Sequence, residues 1–585
     1  MAKLNDQELV TLLQTYRDEG ESARKTGWGE RDEIWESNLD LYFNRFDFSK
    51  KAAWQSKQPM PEGSLYIDRW AAALRAALIV PGVWYSVETP IKELEPAFRK
   101  FLGYWLERCG TSPTGYPTSF DRVFEDQAKL AAVMSAAAAV TWEPGKPGSI
   151  GQRDRVRVDT VDPREVFLDP TYRGLYRIRR YENDYYQLLA KARDNPDYNM
   201  EEITRLGAAR SQEEEVDREQ LVGHSTKISS LRKPITLDEY LCVILDSEGK
   251  DLYGSRQLCI VANENYLIYG PKPNPNLHGF DWIVFSSAIS VPLAVYGKTY
   301  VETWGDIART FVKMTNLIID AGMMASMNAF ALVADALANP EDAKTGVFPN
   351  KTFILAPGTN PDQFIKEINL GDLPTTAFSV WTALKQEMRE GAATNDLNLG
   401  QAVPKGDVTA TEINAVEAGG TALIQSIAAS LETGCVDPIL NLVFQTGLQH
   451  FSENDQALHL ALGEEYFRMF VTRREEFIRL APAFRARGIS GLIERAQKLK
   501  AMLQIVQVVG SSPILQQALL QAMDFTKFLN HLMITIGLDP EDFKPMAAGT
   551  PVGPGIGSAP VPSAQQVLAQ QGPRPVQQVG GRGGA

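Results

Sequence analysis

From Thr299 to Leu337 the chain runs without a proline, which predicts one continuous helix of roughly 55–60 Å at 1.5 Å per residue. It stops at Asn339-Pro340, because proline cannot continue a helix. A second helix is predicted to restart at Pro374 and end at Gly391, with Phe378, Trp381, Leu384 and Met388 on one stripe. Between them lies a small insertion that reads as a hairpin. Residues 351–356 form one strand, Pro357-Gly358-Thr359-Asn360-Pro361 the turn, and residues 364–368 the other strand. Two long helices projecting from a domain are not readily buried by a lone chain. Identical copies packed side by side around an axis do bury them.

Within the first stretch, residues 317–334 reach the minimum length of a membrane span. Asp320 and Asn328 sit inside that window, and its flanks lack basic and aromatic anchors, so a protein-buried helix is expected instead of a membrane one. Met314, Met323, Met324 and Met327 are expected to fill gaps in a core.

The 585 residues suggest three or four domain-sized pieces of ordinary globular composition. Helices are expected in two pieces over 5–47 (Leu9, Leu12, Leu13, Tyr16; then Trp35, Leu39, Tyr42), and over 64–80, 98–108 and 120–140. Strands follow at 155–161, 166–168 and 175–181, then a helix at 185–193 and a solvated, Glu-rich segment at 201–219. Further strands are expected at 240–245, 257–262, 266–269 and 280–289. Past the second long helix, 392–408 is polar. Thr409-Ala410-Thr411-Glu412 then fits a capping box that opens a helix bent at Gly419-Gly420 and again between Cys435 and Pro438, with Asp437 as a cap. Helices recur at 464–479, 490–509, 513–523 and 525–536. Residues 546–585, rich in Gly, Pro and Gln, read as a disordered tail. The fold class is therefore mixed α+β and helix-dominated.

Net charge is −13. Nucleic-acid binders gain most of their affinity by neutralising phosphates, so an acidic total argues against a repressor or packaging nucleoprotein. It does not argue against a protein that lets DNA pass without holding it. Cys109, Cys242, Cys259 and Cys435 are widely spaced, which points to reduced thiols in a cytosolic setting. The N-terminus turns polar before a signal-peptide core could form, so export is not expected.

Catalytic signatures are missing from the sequence. Tyr296-Gly297-Lys298-Thr299 ends like a phosphate-binding loop, but the required earlier glycine is replaced by Pro292, which has no N–H. His224, His278, His450, His459 and His531 do not take zinc spacing, and there is no G-x-S-x-G elbow. Asp320 with Glu302 or Asp306 is a conceivable carboxylate pair, although carboxylates on long helices usually face solvent or cap. Arg153, Arg155 and Arg157 share a strand face, and with Asp154 and Asp159 adjacent a salt-bridged face is favoured over a DNA-binding one. No catalytic residue, metal ligand or cofactor is assigned, and the chain is read as a non-enzyme.

The order of parts resembles the portal (head–tail connector) proteins of tailed bacteriophages, most closely those of short-tailed phages. Residues 296–307, YGKTYVETWGDI, are similar to the Tyr-Gly-[Arg/Lys]-Ser segment that opens the stem in that group. Val408-Thr409-Ala410-Thr411-Glu412-Ile413 is similar to the start of its long wing helix. The likeness covers 296–450 best and 155–183 more loosely.

The resemblance implies an α/β wing over 1–296, a first stem helix over 297–337, a clip over 338–373 and a second stem helix over 374–391. It further implies a channel loop over 392–408, a kinked wing helix and return over 409–463, a helical crown over 464–545 and the tail over 546–585. The implied assembly is a homo-dodecamer at one capsid vertex of the virion, formed in the host cytoplasm and not in a membrane. Double-stranded DNA would pass through it non-specifically. Implied partners are the terminase large subunit, a tail adaptor, and the major capsid and scaffolding proteins. Lys385, Arg389, Asn395, Asn398, Gln401 and Lys405 are DNA-channel candidates; the three cations either face the lumen or make stem–stem salt bridges. Lys351, Phe353, Asn360 and Phe364 are candidates for docking at the clip. The alternatives are another virion structural protein (a tail or minor capsid component) or, failing that, a soluble enzyme. Lys405→Glu is expected to leave ring assembly intact and reduce the DNA retained per particle; equal packaging would remove Lys405 from the lumen.

Overall fold

A computed structural model describes residues 4–25, 30–79, 84–145, 154–171, 174–208, 234–246, 248–326, 329–333, 336–339, 341, 352, 354–360, 365–368, 375–392 and 426–487. All of them belong to one compact unit, Met1–Gln517. The fold is mixed α+β and helix-dominated. The channel loop, the Thr409–Glu412 capping box and the tail lie outside the described residues.

An antiparallel five-stranded sheet forms one layer, in the order Tyr266–Pro273, Gln257–Ala262, Pro234–Cys242, Tyr176–Asp184, Val166–Leu168. Alternate side chains leave a strand on opposite faces. Thus Tyr240, Cys242, Cys259 and Val261 pack under helix Asp6–Lys25, whose Tyr16 stacks on Tyr176 at 4.7 Å. Ile235, Leu237, Ile260 and Ala262 pack under helices Tyr185–Asp194 and Met200–Ala208. All four cysteines are free and buried.

The alanine-rich segment does not continue a helix to residue 140. Helix Phe120–Val133 ends, and Ala136–Glu143 becomes the middle strand of a three-stranded sheet between Ile283–Ser286 and Arg155–Thr160. The physical reason is burial on both faces: Ala136 and Ala138 enter one core, Ala137 and Ala139 another. A strand buried on both faces reads as a continuous apolar run without the alternation that would mark it as a strand. On the adjacent strand Arg155 is buried against Glu143 at 2.7 Å and Arg157 pairs with Asp159 at 2.6 Å, a salt-bridged face as expected.

The largest core joins distant parts of the chain. Helix Glu95–Leu106 carries Phe98 and Phe101 against Phe444, Phe451, Phe470 and Phe477, with ring centroids between 4.5 and 6.0 Å. Edge-to-face and offset rings at this spacing add about 0.5–1.5 kcal/mol each beyond burial. Gly447 permits the approach, since a Cβ there would stand 2.5 Å from Trp105 Nε1. One expectation changes here, because residues 426–487 share one core with residues 35–133. Residues 464–487 do not begin a separate crown: helices Glu464–Thr472 and Arg474–Leu480 pack into that core, and strand Ala483–Ala486 pairs with Tyr85–Glu88.

The bend near Pro438 is a π turn, Glu432–Val436, leading into helix Asp437–His450. Pro438 has no N–H for the Gly434 carbonyl, and the widened turn absorbs the missing bond. Asp437 does not cap that helix. Its carboxylate accepts the Ala486 N–H at 2.6 Å, and Asn441 both accepts from Phe484 N–H and donates to its carbonyl. Helix side chains thereby act as the missing neighbour of an edge strand.

Two stem and clip expectations also change. The first long helix, Gly305–Ser326, follows a 3-10 turn at Val301–Thr303 and ends at Ser326, not Leu337. Strand Ala329–Leu332 then pairs antiparallel with Ile365–Ile368, so the latter's partner is not 351–356. Leu355 bridges to Leu337 instead. An apolar run reads alike as buried helix or strand, and the available ladder partner decides between them. Phe484→Ala is expected to lower unfolding stability by about 3–5 kcal/mol in denaturant titration. A change under about 1 kcal/mol would detach residues past Leu480 from the core.

Candidate assembly site

The stretch that suggested a phosphate loop is a structural root. Gly297 donates its N–H to Ser287 Oγ at 2.9 Å, and Lys298 exchanges both backbone bonds with Ile289, so those amides are committed. A Cβ at Gly297 would stand 2.3 Å from the Ile289 carbonyl, a clearance only glycine meets. Thr299 and Glu302 form a reciprocal capping box: Thr299 N–H donates to Glu302 Oε1 at 2.7 Å, and Glu302 N–H to Thr299 Oγ1 at 3.2 Å. Arg31, 2% exposed, binds Glu302 Oε1 and the Gly297 carbonyl, each at 2.9 Å. Asn38 donates to Thr299 Oγ1 and to the Val133 carbonyl. The Thr-x-x-Glu spacing at 299–302 is the sequence signal for this cap; Arg31 and Asn38 had no local signal.

From the root rises an antiparallel pair, helices Gly305–Ser326 and Thr375–Gly391. Its base is closed by Tyr300, stacked on Trp70 at 4.6 Å and donating its hydroxyl to the Ala392 carbonyl at 2.6 Å. Burial pushes the Tyr300 phenol well above its ordinary value, so it stays a donor. Further out, Phe311 packs on Trp381 at 5.3 Å, and Trp381 Nε1 donates to Thr315 Oγ1 at 2.9 Å.

Asp320 inside the apolar window and Asn316 just before it hold a strap, and Asn328 lies outside the described residues. Buried Asn316 accepts from Ser56 Oγ and Gln58 N–H and donates to the Gln58 carbonyl, at 2.7–2.9 Å. Asp320, 3% exposed, accepts the Ser56 N–H and faces Lys51 Nζ at 3.6 Å. Residues 51–58 are thereby fastened along the first helix. Glu302, Asp306 and Asp320 do not converge: Glu302 goes to Arg31, Asp306 to Arg309, Asp320 to the strap.

The outer face changes character along its length. Asp306, Thr310 and Lys313 are exposed near the root. Farther out the same stripe exposes Leu317 (59%) and Met324 (37%), with Ile319 at its edge, while Phe378 (51%) and Val380 (49%) are exposed on the second helix. Trp381, Leu384 and Met388 turn inward as the stripe predicts, and Phe378 turns outward. The methionines are less buried than expected, since Met314 and Met323 are half-buried and Met324 exposed.

Of the channel candidates, Lys385 lies over the Trp381 ring at 5.2 Å. Arg389 is half-buried and reaches Tyr66, whose phenol burial raises while the nearby guanidinium opposes the rise. Both are therefore engaged within the chain. Asn395, Asn398, Gln401 and Lys405 lie outside the described residues, as do Lys351, Phe353 and Phe364. Asn360 is exposed just past the Pro357-Gly358 turn. Among the described residues no group of three His, Cys, Asp or Glu side chains is arranged to hold a metal. Also among them, one helix, Ser426–His450, is long and apolar enough to cross a membrane, and most of it is buried in the core already described. No protein-family model and no curated protein matches the chain.

Asn316→Leu leaves the strap's Ser56 and Gln58 groups without their partner. It is expected to cost about 1–3 kcal/mol in chemical denaturation and to speed amide exchange at Ser56 and Gln58. Unchanged exchange there would mean the strap is held by something else.

Proposed function

We propose that the chain is a portal-type subunit: a structural conduit and docking platform, without catalysis, that closes with identical copies into a dodecameric ring. The observation that carries this reading is the outer face of the stem pair, polar at its root and apolar farther out. Fully burying a Leu, Phe or Met side chain is worth about 1.5–3 kcal/mol, so half-exposed ones still offer on the order of 1 kcal/mol each. A surface helix pair with no partner would carry polar residues on that face throughout. The likeness of residues 296–307 and 408–413 to portal stem and wing segments supports the same reading.

The acidic total suits a conduit, because a wall of like charge repels phosphates and keeps a duplex moving. In this reading the ring sits at one capsid vertex of the virion. DNA enters and leaves through it, with the terminase large subunit and later the tail adaptor docking at the clip, and coat and scaffolding proteins around the wing. Lys385 and Arg389 serve the stem's own packing, leaving the loop residues Asn395, Asn398, Gln401 and Lys405 as the channel candidates.

Twelve copies of a 64.8 kDa chain total about 778 kDa, the mass expected by native mass spectrometry or light scattering. Negative-stain images should show a ring with an axial hole. A filament or closed disc would favour another virion structural protein, and a monomer under all conditions would overturn both readings. The double variant Leu317→Asp with Phe378→Asp is expected to abolish assembly while moving the monomer's thermal midpoint by only a few degrees, since both sites are solvent-facing within the chain.

A further inference from the structure

Between strand Ile283–Ser286 and the stem root, the chain makes a tight turn at Val291-Pro292-Leu293-Ala294. The Ala294 N–H donates to the Val291 carbonyl at 3.2 Å, with Pro292 at the second position. Leu293, at the third, has φ +65°, in the left-handed region. That position of a Pro-led turn ordinarily takes glycine, because a Cβ crowds the following carbonyl. Leu293 is also 96% exposed. Within the chain a leucine there gains no burial and bears both the strain and the exposed apolar surface. Glycine would relieve both.

A receptor of matching chemistry lies elsewhere on the same chain. A cleft of about 940 Å3 opens beside the π turn, with Ile283, Phe285, Leu442 and Phe484 as its apolar wall and Arg256, Asp281, Asp437, Asn441 and Arg485 also lining it. Strand residue Phe285 stands opposite Ala137, whose carbonyl is taken by Val161 N–H and Gln127 Nε2. The Phe285 peptide groups therefore point away from that neighbour, along the sheet edge. Gln445, 6% exposed, also lines the cleft. An apolar knob on a turn fits the apolar wall beside this sheet edge.

We propose that the Leu293 turn of one copy inserts into this cleft of a second copy of the chain, Leu293 filling the apolar space beside the edge of strand Ile283–Ser286. Knob and receptor are different surfaces of one chain, so the contact is head-to-tail, the kind that closes a ring. The inference rests on the ring reading and adds a second, stem-independent contact to it.

The test uses the full chain. Leu293→Gly is expected to keep or raise the thermal midpoint while weakening self-association at least tenfold in sedimentation velocity. A lower midpoint would make Leu293 a structural residue, and unchanged association would remove it from the interface; either overturns the proposal. In assembled protein, the pair Leu293→Cys with Thr433→Cys, the latter on the cleft rim, is expected to give inter-chain disulfides under copper phenanthroline, and neither single variant should. Absence of that cross-link overturns the cleft as the seat. If the Leu317→Asp, Phe378→Asp chain loses assembly while Leu293→Gly keeps it, the ring reading stands and this inference falls. A parent chain that never assembles overturns both.

Discussion

The buried ion pair between Arg31 and Glu302 is the joint on which the stem depends. Glu302 is held by the backbone of its own turn through Thr299, and Arg31 is held by the Gly297 carbonyl, so neither charge lacks partners. Isolated charges at this depth would be costly, and a pair this well hydrogen-bonded offsets much of that cost. Because Asn38 ties the same Thr299 hydroxyl to the Val133 carbonyl, the root also fixes where the alanine strand begins. The base of the helix pair is thus anchored by directional bonds to Arg31, Asn38 and the backbone of its own turn.

Along the stem the demands reverse. Near the body, Trp304, Ala308, Phe311 and Val312 are buried by the chain's own helices. Farther out, the inward side is still met by Asn316 and Asp320 with the strap, yet Leu317, Met324, Phe378 and Val380 face outward without cover. A polar inner seam beneath an apolar outer face inverts the usual order of a surface helix.

Much of the fold was legible. The helix at residues 6–25 follows from Leu9, Leu13 and Tyr16 at helical spacing. The strand at 155–160 follows from strict alternation and the second long helix from its stripe between Pro374 and Gly391, whereas proline-free length carried the first long helix past its end at Ser326. The misreadings share a cause. The Ala131–Ala139 run and the 329–332 segment carry no period that separates helix from strand, so their state was set by which neighbour offered a ladder, while the strand expected at 364–368 formed with a different partner. The site was half legible. The Thr-x-x-Glu cap lies in plain view at 299–302, and Asp320 flagged something other than lipid, while Asn316 beside it carried no such flag. Their true partners, Ser56 and Gln58, lie some 260 residues away in sequence, beyond any local pattern.

By itself the sequence determined the periodic elements, the acidic balance, the reduced and scattered cysteines and the break at Pro438. These are properties of residues and their near neighbours: side-chain spacing, charge and the missing proline N–H. Only the tertiary structure decided that residues 426–487 fold back into the core of residues 35–133, that Asp437 and Asn441 edge a strand instead of capping a helix, and which stem residues face out. Burial and hydrogen-bond pairing are relations between distant segments, and they take their values only once the chain has closed on itself.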